Sequence, residues 1–207
     1  MTMPNKGLLL IFSGPSGSGK GTVMQELFDN STNLVMSVSA TTRNPRPGDI
    51  DGVHYFFISR EEFEEMIRED KLLEYAEYSG NYYGTPLSFV EEQRNLGHHV
   101  VLEIEVQGAL QVMKRCPDAV SVFLAPPSWD ELEHRLRGRG TETEEAICRR
   151  LDTARQELAT MDRYQYVVVN EDVKTAAADI AGILHAESMR FSRMEHIKEE
   201  FCYVESE

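Results

Sequence analysis

Residues 7–22 read GLLLIFSGPSGSGKGT: an apolar run from Gly7 to Ser13, a glycine-rich turn from Gly14 to Lys20, and Gly21-Thr22 opening a segment where Val23, Met24, Leu27 and Phe28 recur at helical spacing. The run lacks the alternation of a half-exposed strand and predicts a parallel strand buried on both faces. The cluster Asp29-Asn30-Ser31 ends the helix. Strand, turn and helix in that order are the setting a phosphate-binding loop requires, and Gly14-Pro15-Ser16-Gly17-Ser18-Gly19-Lys20 matches G-x-x-x-x-G-K. Glycines let successive backbone N–H groups turn inward around a phosphate, the helix N-terminus adds positive potential, and Lys20 brings a mobile charge to the terminal phosphates. A hydroxyl residue ordinarily follows the lysine; here Gly21 stands there and Thr22 comes one step later. Any Mg²⁺ is therefore expected on nucleotide oxygens and water, with Thr22 on a phosphate and no direct protein ligand.

Working outward, similar apolar runs at His99–Ile104, Ala119–Leu124 and Tyr166–Val169 are each followed by a helical pattern, so the chain reads as an α/β protein built on a parallel sheet. Ser59 with Glu62 and Ser128 with Glu131 read as capping boxes, and Thr85-Pro86 as an N-cap and first-turn proline for a helix that Gly97 ends. Long amphipathic helices are expected around residues 146–158 and 176–184, and Phe63, Met66, Ile67, Trp129 and Leu132 in the core. From Met36 to Tyr83 the texture shifts to short β-rich runs, Val53–Ile58 and Leu72–Tyr78, around one acidic helix, an inserted subdomain. A second interruption, Arg137–Glu145, is rich in Gly, Arg and Glu and reads as an exposed, mobile lid. The expected organisation is one domain: a three-layer core from residues 1–36, 86–134 and 151–207, an insert over 37–85 and a lid over 135–150.

The 207 residues carry 21 Lys and Arg against 35 Asp and Glu, a net charge of −14. Such a surface disfavours nucleic acid and anionic membranes unless positive charge is gathered locally. Two segments gather it. Residues 37–60 hold Arg43, Arg46 and Arg60 against two acids, and residues 135–150 hold Arg135, Arg137, Arg139, Arg149 and Arg150 against three. The stretch Glu61–Glu77 and the tail beyond Glu195 carry much of the acid. The cysteines, Cys116, Cys148 and Cys202, form no C-x-x-C pair, which suits a reducing cytoplasm and excludes a disulfide framework. Leu8–Phe12 is too short to span a bilayer, so the chain is expected to be mature and soluble.

A hydrolase and a kinase can share the loop; a kinase needs a second site for the acceptor. Arg43 and Arg46, three apart in a proline-stiffened loop, can grip a phosphate monoester with forked guanidiniums. Here the sequence resembles the guanylate kinase family, through GPSGSGKGT, SVSATTRNPRPGDIDGVHYFF, EYAEYSGNYYGTP, EIEVQG and RLRGRGTETEEAICRRL in that order up to about Phe191. The resemblance implies transfer of the γ-phosphoryl of ATP, with Mg²⁺, to GMP and to dGMP. It implies that Ser39, Arg43, Arg46, Tyr55 and Tyr83 surround the GMP phosphate and that Glu74, Thr85 and Glu105 read the guanine edge. It also places Arg139 and Arg150 on the transferring phosphates and Arg135 near ATP. Asn170, at the end of the last buried strand, falls where adenine would lie.

Guanine offers two adjacent donors, N1–H and the N2 amine, which one carboxylate such as Glu74 can accept together. Adenine would leave that carboxylate unpaired, and a site so built can reject the wrong base by roughly 10⁴. The family commonly has Asp where Glu103 and Glu105 stand and frequently Ser at Thr85; the longer Glu103 would act on magnesium only through water. The Gly21-Thr22 loop ending is shared with adenylate kinases, so the base pocket must decide the acceptor. A catalytically inactive peptide-recognition module of the same fold would carry a degraded loop, whereas Gly14, Gly19, Lys20, Arg43, Arg46 and Arg139 all stand here. No nucleic-acid or membrane partner is expected, and the oligomeric state is not legible.

Overall fold

In the computed structural model, which describes residues 6–138, 143–195 and 197–198, the opening stretch forms strand β1 (Leu9–Ser13) and helix α1 (Lys20–Asp29) on either side of the phosphate loop. Strands β2 (Leu34–Met36), β7 (His99–Glu103), β8 (Val120–Ala125) and β9 (Tyr166–Val169) join β1 in a five-stranded sheet of order β2-β7-β1-β8-β9. Every pairing in it is parallel; Leu10, for example, lies between Val101 and Val120.

The period of two sorts β1 between two cores. Leu8, Leu10 and Phe12 face α1 and helix α7 (Val173–Ser188), meeting Val23, Met24, Leu27, Ala176 and Ile180. Leu9 and Ile11 face helices α3 (Leu87–Asn95) and α4 (Val106–Arg115), meeting Val90, Val106, Ala109 and Val112. Each fully buried aliphatic side chain of this kind contributes about 1.5–3 kcal/mol of transfer free energy, and β1 is buried at all five positions. The central run therefore anchors the loop that follows it.

The insert forms its own four-stranded sheet, order β4-β3-β6-β5, from β3 (Ala40–Thr41), β4 (Phe56–Phe57), β5 (Leu72–Tyr78) and β6 (Asn81–Pro86). Helix α2 (Arg60–Arg68) covers it through Phe63, and Ser59 with Glu62 makes the expected capping box. Helices α5 (Trp129–Arg137) and α6 (Glu144–Leu158) pair through Leu132, Leu136, Ile147, Leu151 and Ala154.

Several expectations change. Thr85 is no cap: it lies within β6, its hydroxyl is used elsewhere, and Pro86 itself precedes α3. Ser128 caps the Glu131 N–H, but the Glu131 carboxylate turns to Arg135 instead of closing the box. Only Phe56 and Phe57 of the run Val53–Ile58 form a strand. β9 is an edge strand, with Val167 and Val169 each 46% exposed, so its apolar run is not buried on both faces. Leu34–Met36, unread in the sequence, is a strand at the opposite edge. Gly97 does end α3: His98 N–H donates to the Gln93 carbonyl and Gly97 N–H to that of Arg94, a Schellman closure with Gly97 at φ 90°. Most of the acidic tail lies outside the described residues.

Candidate active site

The phosphate loop holds its curvature in part through Gly19, at φ 90°, where a β-carbon would sit 2.4 Å from the Asn170 amide nitrogen. That amide donates to the Ser18 carbonyl at 2.7 Å, and Asn170 N–H donates to the Ala125 carbonyl at 2.9 Å. Asn170 is 3% exposed and braces the loop from beneath. Arg135 joins it, reaching the Asn170 carbonyl at 3.3 Å and the Ser18 carbonyl at 3.5 Å while Glu131 holds its Nε at 2.8 Å. Gly21 and Thr22 are exposed at the start of α1.

Lys20 folds back into the loop and donates to the carbonyls of Gly14 at 2.6 Å and Pro15 at 3.1 Å. Burial lowers its pKa, and Glu103, Glu157 and Glu105, in that order, work against the fall. Three carboxylates thus balance the lysine. Glu157 went unread in the sequence. It stands in the last turn of α6; burial raises its pKa, while Lys20 and the Ser16 backbone N–H lower it. Arg150, two turns earlier on the same helix, donates to the Ser16 hydroxyl at 2.6 Å. The seven-residue spacing on α6 was the available signal, since residues seven apart share a helix face.

On the second sheet, Arg43 donates to Asp49 at 2.8 Å and to the Asn44 carbonyl at 2.8 Å, and its guanidinium lies 5.5 Å from the ring centroids of both Tyr55 and Phe57. Tyr55 meets Tyr83 edge to face at 6.0 Å, so three of the expected phosphate ligands converge. Asp49, another residue missed in the sequence, also accepts the Arg46 N–H at 2.7 Å; that bond first, and Arg43 next, hold its carboxyl below the ordinary range. The Arg46 side chain is exposed, and Ser39 is half-buried where its carbonyl accepts the Phe56 N–H at 2.9 Å.

Glu74 and Thr85, expected to read the base, are paired by a fault in strand register. Leu72 lies opposite Pro86 but Tyr75 opposite Gly84, so Leu73 and Glu74 share the single partner Thr85. This bulge re-aims Glu74 onto Thr85. The Thr85 hydroxyl donates to Glu74 Oε1 at 2.8 Å, and burial raises the pKa of Glu74 against that bond. Glu105, exposed at the start of α4, lies within electrostatic reach of both Glu74 and Lys20. Glu103, exposed, borders the same surface cavity as Gly21.

Arg137 is committed to Glu133 at 2.8 Å and Glu144 at 2.7 Å, lacing α5 to α6. Arg139 lies outside the described residues. Among the described residues no helix is long and apolar enough to cross a membrane.

The chain is similar to known proteins over most of its length. A family model described as guanylate kinase matches residues 6–187. The guanylate kinase of Streptococcus thermophilus strain CNRZ 1066 is 56% identical over 193 residues, 93% of this chain and 92% of the relative. That of Streptococcus pneumoniae strain R6 is 55% identical over 193 residues, 93% of each. The crystal structure of guanylate kinase from Anaplasma phagocytophilum superposes with a TM-score of 0.70 at 37% identity, covering 92% of this chain and 90% of that one.

Proposed function

The chain belongs to the guanylate kinase family, whose members move the γ-phosphoryl group of ATP to GMP, and on that premise we propose how its residues divide the reaction. A GMP phosphate oxygen attacks the γ-phosphorus, the bond to the β-bridging oxygen breaks, and ADP leaves with that oxygen's charge. No protein nucleophile is needed, so the enzyme's work is positioning and charge neutralisation.

The glycine-rich loop from Gly14 to Thr22 and the Lys20 ammonium take the triphosphate of ATP. Lys20 is already half stripped of solvent, and exchanging carbonyls for phosphate oxygens strengthens its contacts in a low-dielectric site. Asn170 and Arg135, which brace the loop from below, border the adenosine side. Arg43, Arg46, Ser39, Tyr55 and Tyr83 hold the GMP phosphate; the rings of Tyr55 and Phe57 flank the Arg43 guanidinium. Glu74, fixed by Thr85 and assisted by Glu105, accepts the two guanine donors. Arg150 and Arg139 close on the transferring group and exclude water. In this division residues 37–85 are the GMP-binding insert and 135–150 the lid of a single domain.

The observation that carries the reading is the junction of the two parts: β7 runs beside β1, the strand that feeds the loop, and leads through Glu105 into α4, whose Gly108 lies against the Glu74 carboxylate. A loop for one nucleotide's phosphates and a pocket for another's base, joined through one strand, suit an enzyme that brings two nucleotides together. Mg²⁺ fits as an ion carried by the nucleotide: Gly21 offers no side-chain oxygen, and Glu103 beside it would hold the ion through water. Such an ion neutralises charge on the β- and γ-phosphates. The unpaired thiols of Cys116 and Cys148 support a cytoplasmic setting.

A coupled assay for ADP with GMP, dGMP, AMP, CMP and UMP offered in parallel tests the acceptor. GMP should be preferred strongly, with dGMP accepted; preference for AMP would overturn the role of Glu74.

A further inference from the structure

We propose that Gly108 is a specificity-determining residue for the acceptor base, because its missing side chain is the space in which the Glu74 carboxylate is held. The proposal rests on the reading of Glu74 as the guanine acceptor. Gly108 is the third residue of α4, and a β-carbon built there lies 3.1 Å from Glu74 Oε2, 3.5 Å from Cδ and 3.6 Å from Cγ. Three atoms of one carboxylate arm thus rest against the bare backbone of the helix.

Neither side can give way freely. Val106, Ala109 and Val112 fix α4 in the core, all of them at most 6% exposed. Glu74 is held from the other direction by the Thr85 hydroxyl at 2.8 Å and by the bulge that aims it. A methyl group at position 108 would push Oε2 by some tenths of an ångström, and the Thr85 bond would lengthen or the carboxylate would swing. Both motions move the acceptor that must meet N1–H and N2–H together.

The backbone does not demand glycine here. Gly108 is absent from the positive-φ residues and sits within a regular helix, where alanine is the better residue. Gly182 in α7 supplies the contrast: a β-carbon there meets nothing within 4 Å. One helical glycine stands against a base-reading carboxylate, and the other faces open space.

The test is steady-state kinetics and melting of Gly108→Ala, Gly182→Ala, Glu74→Gln and the double variant Glu74→Gln with Gly108→Ala. For Gly108→Ala the GMP KM should rise about tenfold and the preference for GMP over AMP fall by a similar factor, with the ATP KM and melting temperature not worsened. Gly182→Ala should leave every kinetic constant unchanged. In the Glu74→Gln background, adding Gly108→Ala should change the GMP KM by less than about twofold, since both act through one carboxylate. A GMP KM within twofold of the parent, a lowered melting temperature for Gly108→Ala, or an undiminished effect in the Glu74→Gln background would each overturn the proposal. Absence of GMP-dependent ADP formation in the unaltered enzyme would instead overturn the reading of the acceptor on which it rests.

Discussion

The Arg150 guanidinium donates to the Ser16 hydroxyl at 2.6 Å, so the helix that follows the arginine-rich segment is fastened to the crown of the phosphate loop. Glu157, on the same face of α6, approaches the N–H of that same serine. One loop residue thus registers both a cation and an anion of α6.

Removing the Arg150 charge should cost far more than removing its perch. Arg150→Met should lower kcat by roughly 10²–10³, the scale for a donor aimed at developing charge, with the GMP KM little changed. Ser16→Ala should lower kcat by only about tenfold, the low end for one hydrogen bond to a charged group. The double variant should match Arg150→Met within about twofold, because the serine acts through the arginine. Multiplicative losses in a coupled ADP assay would separate the two residues.

Asn170 should matter to the empty protein. Its amide braces the Ser18 carbonyl at 2.7 Å, whereas Arg135 reaches that carbonyl at the longer distance of 3.5 Å. Losing a buried partner costs about 1–3 kcal/mol, so Asn170→Ala should melt several degrees lower without nucleotide, at roughly 2–4 °C per kcal/mol. An unchanged melting temperature with a raised ATP KM would confine Asn170 to the adenosine side.

The acid limb of GMP binding should report Glu74. Burial raises its pKa in the free enzyme, Thr85 opposes the rise, and the nearby charge of Glu105 adds to it. Guanine donors favour the ionised carboxylate, so its pKa falls on binding and GMP binding releases protons near the free-enzyme value. The GMP KM should therefore climb as pH drops, beginning above the range of an ordinary glutamate, while the ATP KM holds. Glu74→Gln should remove that limb; a limb unchanged in Glu74→Gln would assign it elsewhere. In the protein without ligand the sign is opposite. A raised folded-state pKa favours the protonated form, so this group's contribution to stability is present at low pH and lost as pH rises through that value.

What the sequence disclosed depended on the range over which each feature is encoded. The loop and its strand are local: seven apolar or small residues and a G-x-x-x-x-G-K spacing place them without knowledge of the rest of the chain. Arg43 was legible because two arginines and two prolines lie within five residues. Glu157 was not, because its partner Ser16 is 141 positions away and α6 could have presented that face to solvent. Thr85 was misread for a related reason: Thr-Pro before an apolar run is a sound local cap signal, but a bulge formed with residues 73 and 74 claimed its hydroxyl. Edge strands β2 and β9 erred in opposite senses, one too short to notice and the other too apolar for its exposure, since burial on a sheet edge is decided by neighbours the strand's own pattern does not name.

The two-site reading makes its plainest prediction at Arg43. The guanidinium lies in a fork-shaped setting, with Asp49 and the Asn44 carbonyl taking its outer N–H groups and the rings of Tyr55 and Phe57 beside its face. Asp49 stays ionised to below the usual carboxylate range, so this arrangement persists across the pH window in which an enzyme of this kind is assayed. A phosphate monoester arriving there gains a second anion partner for a cation already oriented, and little ordering remains to be done. Arg43→Met should therefore raise the GMP KM by about 10- to 100-fold, the loss of charge-assisted hydrogen bonds, and leave the ATP KM within about twofold. Arg43→Lys should recover only part of the loss, because an ammonium keeps the charge but not the fork. Measuring each KM with the other nucleotide saturating separates the sites. Equal rises in both constants would mean that Arg43 shapes the whole cleft and would remove the case for a separate acceptor phosphate site on the second sheet.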